Sequence, residues 1–209
     1  MLICEICNRE IKRDLNYKLI DVINKILNTS YIDMCYLCGH KKLKEAKLVA
    51  KAQMKSFSSK LEKYLPSIPV MSINNPAGWD YTPKGIVTAR ANSGTGLVIE
   101  VTSTFSDFFG LQSNSTNSKI SKCEKLCLSL LKKHCLDLEG NAITGVDIDY
   151  IEVGKGKGIL MVCMTGTAVR INNNNNLGSI DLERINEATE INIKLNTIKE
   201  LWEIALTTD

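Results

Sequence analysis

The sequence predicts an α+β protein with a metal-binding N-terminal finger and flanking amphipathic helices. Three observations carry that expectation. Two Cys-x-x-Cys pairs sit near the start, in CEIC and CYLCGH; apolar residues recur at helical spacing on either side of a central region; and within that region the period falls to two.

The cysteine pairs come first. Cys4 and Cys7 are separated by 27 residues from Cys35 and Cys38, so one tetrahedral ion could take all four thiolates. A closed S4 shell leaves no open position for substrate or activated water, which points to a structural zinc site in a module spanning residues 1–40. Two disulfides are the competing reading. However, MLICEICNREIKRD lacks a basic segment followed by an apolar run, and no later apolar run is long enough to span a bilayer. A cytoplasmic location is therefore expected, where thiols stay reduced and metal is favoured over disulfide. His40 is a spare donor beside a complete shell. Asn8 and Gly39, each following the second cysteine of a pair, are expected to take the left-handed backbone that turns amides toward sulfur. A knuckle leading into a helix suggests a treble-clef or zinc-ribbon-like finger.

The 209 residues are 44% hydrophobic, enough for a real core and a small appended module. The net charge of +3 is unevenly spread. Residues 1–65 carry 13 basic and 7 acidic groups, and residues 177–209 carry 3 and 7, so the front is basic and the tail acidic.

Between the cysteine pairs, Leu15, Leu19, Ile23, Ile26 and Leu27 mark a short amphipathic helix. A second, basic helix is expected over 41–66. Its apolar stripe is Leu43, Ala46, Ala50, Met54, Phe57, Leu61 and Leu65, and Pro66 and Pro69 end it. Lys41, Lys44, Lys47, Lys51 and Lys55 occupy its other faces. They read as a solvated surface in preference to a nucleic-acid interface, since arginine is absent and stacking aromatics are few.

From Val70 the pattern changes. GIVTARA and GLVIEVTST read as strands, SKISKCEKLCLSLLKKHCLDLEG as a helix closed by Gly140, and NAITGVDIDYIEV and ILMVCMTGTAVRI as strands joined by the hairpin GKGKG. A core domain over 70–171 results. An Asn-rich linker at 172–179 then leads to an acidic helix over 180–209 with Asp181 as N-cap. Ile185, Ala188, Leu195, Ile198, Trp202 and Ala205 share one face of it, and Trp202 is expected to bury against the stripe of Phe57 and Leu61.

FSDFFG, a long helix, GVDIDY at Gly145–Tyr150 and GTAVRI at Gly166–Ile171 together resemble the YbjQ-type family, which carries a heavy-metal-binding label, over about residues 73–171. The resemblance implies a β-α-β-β subunit of dodecin-like topology that assembles into a homopentameric ring, and no established reaction. The front end resembles short bacterial zinc-finger modules that precede such domains.

Three further groups are candidates. Asp147 and Asp149 alternate on one strand face and form a possible secondary cation site, or the acid/base pair of a metal-dependent hydrolase; a solvated or ion-paired polar face is the simpler reading. Cys123 and Cys127, with Cys135 and Cys163, could hold a soft metal but read better as core. His134 has no orienting partner in sequence and is not assigned as catalytic. The function expected is therefore non-enzymatic, with no catalytic residues: a zinc-binding, ring-forming scaffold or ligand-binding protein, offering partners the helices at 41–65 and 180–206 and making no membrane contact. A nucleic-acid-binding regulator using the finger and lysine helix is the alternative.

Overall fold

The computed structural model describes residues 2–92, 116–153, 159–172 and 181–207. The chain divides into two compact units, one of Met1–Phe57 with Ile193–Asp209 and the other of Ser58–Asn192. Helices α2 (Tyr36–Tyr64) and α4 (Leu182–Thr207) contribute residues to both.

The first unit is helical. Helix α1 (Tyr17–Leu27) starts where the Asn16 side chain accepts a hydrogen bond from the Lys18 amide, and it stops at Asn28 in left-handed conformation. Its apolar face buries Leu19, Ile20, Ile23 and Ile26 against Leu43, Ala46 and Ala50 of α2 and Leu201 and Ala205 of α4. Trp202 packs against this same cluster, which holds Leu43, Ala46 and Ala50 of the α2 stripe that the sequence assigned to it. Asn24, unremarked in sequence, organises the turn after α1: its amide donates to the Tyr31 carbonyl at 2.8 Å and accepts from the Tyr31 amide and the Thr29 hydroxyl. That turn aims the chain at the second cysteine pair.

Helix α2 begins at Tyr36, five residues before the expected start, so Cys38 and Gly39 lie in its first turn. Lys41, Lys44, Lys51 and Lys55 are exposed on it, as a solvated face requires. The helix gives way to one 3-10 turn, Leu65–Ser67, carrying Pro66.

Among the described residues, the second unit holds a three-stranded antiparallel sheet with a helix packed on it. Strands β1 (Tyr81–Asn92), β2 (Ala142–Val153) and β3 (Ile159–Ile171) lie in the order β1-β3-β2, with helix α3 (Thr116–Asp137) between β1 and β2 in sequence. This is the β-α-β-β order expected. Period-two alternation sends Val87, Ala89 and Ala91 of β1 and Val162, Met164 and Ala168 of β3 to the helix side, where Leu126, Cys127, Leu130 and Leu131 meet them. GLVIEVTST, FSDFFG and the GKGKG turn fall outside the described residues.

Two details shape β2. Its register shifts between Thr144 and Asp147, and Gly145 takes φ 60 there, with the Asn74 Oδ1 atom in the space a Cβ would need. Segment 69–73 runs alongside, Val70 pairing in parallel with Ile143 and the Val146 amide bonding to the Met71 carbonyl at 3.0 Å. At the far end of the domain, Asp181 caps α4 as expected, its carboxylate accepting from the Arg184 amide at 3.1 Å.

Candidate metal centre

Each cysteine pair is shaped by its own backbone. In the first, Ile3 and Glu10 pair as an antiparallel bridge, and the chain between them turns back through Asn8 at φ 54, the left-handed residue expected there. The Asn8 amide bonds to the Cys4 carbonyl and the Cys4 amide to the Arg9 carbonyl, both at 2.9 Å. In the second, Asp14 bridges to Cys35, and the Gly39 amide bonds to the Cys35 carbonyl at 2.9 Å as α2 begins.

Gly39 is helical instead of left-handed, contrary to expectation, and its role is steric. A Cβ there would stand 2.6 Å from the Leu15 Cδ2 atom, so the missing side chain lets Leu15 lie against the first turn of α2. The knuckles are further tied by Glu5, whose carboxylate accepts from the Ile32 and Asp33 amides, and by Arg13, whose guanidinium sits 4.1 Å above the Tyr36 ring. Neither residue stood out in sequence.

The result brings Cys4, Cys7, Cys35 and Cys38 together with all four sulfur atoms within 4.8 Å of one another. The Cys7 and Cys35 Sγ atoms are 3.9 Å apart, far beyond a disulfide bond. A zinc ion with bonds of about 2.3 Å to four sulfurs sets the tetrahedron's edges at about 3.8 Å, so the donor set and spacing fit that metal. Cys4 is buried, while the other three are partly exposed.

Electrostatics add a second argument. Burial works against a Cys4 thiolate, but backbone hydrogen bonds at Cys35, Cys7 and Ile6 outweigh it and bring the thiol down to about 6. Cys38 moves the other way, pushed up to about 12 by burial and by the thiols of Cys35, Cys7 and Cys4. The cluster thus welcomes one negative charge and resists the next. A divalent cation at its centre reverses that resistance.

The other candidates separate cleanly. His40 stands outside the cluster, its ring 4.2 Å from that of Tyr36. Asp147 and Asp149 are exposed on β2 opposite Thr165 and Cys163, and among the described residues no third ligand gathers with them. Cys123, Cys127 and Cys135 are core residues. Burial pushes the last two up to about 12, and their thiols donate to the carbonyls of Val162 and Ala142, both at 3.2 Å. The His134 ring meets the Thr88 carbonyl at 2.8 Å and so fastens α3 to β1.

A β-α-β-β core and a four-thiol cluster define an α+β protein with a possible metal site. The YbjQ family, described as "Putative heavy-metal-binding", matches residues 70–172. UPF0145 proteins are also similar: that of Clostridium kluyveri is 36% identical over 86 residues, covering 41% of this chain and 81% of that protein. The UPF0145 protein of Acetivibrio thermocellus is 35% identical over 88 residues, covering 42% and 83%. The chain belongs to this UPF0145, YbjQ-type family. The family description names no catalytic activity. A solved structure of a protein of unknown function from Pediococcus pentosaceus is 21% identical and covers 49% of this chain and 96% of that one, with a TM-score of 0.31, too low to bear on the fold. Among the described residues, no helix is long and apolar enough to cross a membrane.

Proposed function

We propose that this chain is a non-enzymatic, zinc-binding, ring-forming protein of the cytoplasm that serves as a scaffold or ligand-binding module. One observation carries the reading: four thiols converge within 4.8 Å of one another, with Cys7 and Cys35 at 3.9 Å, close to the roughly 3.8 Å edge of a zinc tetrahedron. Zinc held by Cys4, Cys7, Cys35 and Cys38 would act as a structural cross-link, because a filled sulfur shell leaves no position for substrate.

Assembly follows from the core. The family resemblance implies a dodecin-like homopentamer, and among the described residues β1 and the 147–153 part of β2, beyond the stretch that segment 69–73 covers, are outer strands of the sheet, with Ile86, Ile148 and Ile151 exposed on them. Outer strands offer backbone groups to a neighbouring copy, and apolar side chains beside them favour contact. Native mass spectrometry of the untagged chain, with metal analysis of the same sample, tests this reading. It predicts five chains and five zinc ions. A metal-free monomer would overturn it.

A further inference from the structure

Beyond the core, α2 carries a pattern that its own packing does not use. Leu37, Lys41, Lys44, Leu48, Lys51 and Lys55 follow one another at alternating intervals of four and three, so they form a single outward stripe along the helix. Leu37 is 73% exposed and Leu48 71% exposed. Two nearly bare leucines, eleven residues and about 16 Å apart, stand in line among four lysines. A solvated lysine face has no use for them.

Helix α4 carries the matching pattern. Asn186, Glu190, Ile193, Thr197, Glu200 and Ile204 follow the same alternating intervals, and all are exposed. Ile193 is 59% and Ile204 40% exposed. These isoleucines are also eleven residues apart. Where α2 has lysine between its apolar residues, α4 has glutamate or a neutral residue.

We propose that the outward stripe of α2 docks antiparallel on the outward stripe of α4 of a second copy of this chain. The register follows from the spacing. Leu37 faces Ile204 and Leu48 faces Ile193, while Lys41 faces Glu200, Lys51 faces Glu190, Lys44 faces Thr197 and Lys55 faces Asn186. Both apolar pairs match, two opposite charges pair and no like charges oppose. A parallel arrangement also aligns the apolar residues but pairs only Lys44 with Glu200, and it sets the helix dipoles side by side. Within one protomer the faces that meet are different ones, Leu43, Ala46 and Ala50 of α2 with Leu201 and Ala205 of α4. The stripes remain for a neighbour.

This contact is independent of the strand edges of the core and of the zinc reading. It is tested on the full chain with an equimolar mixture of nitrogen-14 and nitrogen-15 protein, treated with a carbodiimide that joins only touching amines and carboxylates. The expected products are mixed-isotope peptides linking Lys41 to Glu200 and Lys51 to Glu190. Charge reversal gives a second measurement. Lys41→Glu with Lys51→Glu should weaken association on the order of tenfold, read by sedimentation equilibrium, by turning two attractions into two repulsions. Mixing that variant with a Glu190→Lys, Glu200→Lys chain should restore cross-linking between the two. Same-isotope products alone, Lys44–Glu200 links without Lys51–Glu190 links, or failure of the mixture to restore cross-linking would each overturn the proposal. In the first case the linked residues would meet within one chain instead.

Discussion

Leu15 lies against the bare backbone of Gly39, with its Cδ2 atom 2.6 Å from where a Cβ would stand. This close approach joins the metal cluster to the apolar core, since Leu15 belongs to the cluster of α1, α2 and α4 and Gly39 directly follows Cys38. Gly39→Ala should therefore cost about 1–3 kcal/mol through overpacking, although alanine is the better helix former. A thermal melt of the variant checks it. A gain in stability would mean that Leu15 moves aside freely.

Metal affinity should fall as pH falls. All four sulfurs must be thiolates to bind, and Cys38, pushed up to about 12, still holds its proton at neutral pH, so binding must release it. Protons and zinc then compete, and lowering the pH favours the proton. Competition with a chromophoric chelator between pH 6 and 8 should give weaker binding at the acid end. A flat profile would mean that the thiols are already ionised in the free protein.

A polar network fastens α4 to α3. Lys133 pairs with Asp137 one turn on, and the same Asp137 oxygen accepts from the Asn192 amide at 3.1 Å. Lys133 and Asn192 are buried. Asp137→Ala would leave both donors short of an acceptor, and a loss of about 1–3 kcal/mol is expected in denaturant unfolding. Asn192→Leu should cost less, because it removes a buried amide whose carbonyl oxygen finds no partner among the described residues.

Asp147→Asn with Asp149→Asn should leave metal content and thermal stability unchanged. Both carboxylates are exposed, and no third ligand joins them among the described residues. Loss of a bound ion in metal analysis of the double variant would restore a cation role to that strand.

The sequence made the strands and helices legible wherever one face is buried and the other wet. Val87, Ala89 and Ala91 alternate with exposed residues, and Asp181 announces a helix start, so these elements stand close to where the pattern puts them. The cysteine cluster was legible too, because Cys-x-x-Cys constrains both sulfurs locally. Side chains that act at a distance left no such mark. Asn24 looks like any polar residue on a helix until its turn closes around it, and Glu5 sits between two cysteines with nothing in its neighbours to reveal amides 27 and 28 residues away. Trp202 was legible in part: its apolar stripe shows a buried face, and it packs on the cluster holding Leu43, Ala46 and Ala50, but a stripe does not say which stretch of another helix it meets.

The central claim is that four cysteines form one closed zinc shell. X-ray absorption at the zinc edge, on untagged full-length protein, reads the shell directly. The account predicts four sulfur neighbours at about 2.3 Å and no nitrogen or oxygen, with Cys35→Ser losing the metal while α1 and α2 keep their helical signal on the strength of their apolar core. A shell containing nitrogen, which would bring in His40, or full zinc retention by Cys35→Ser, would contradict it.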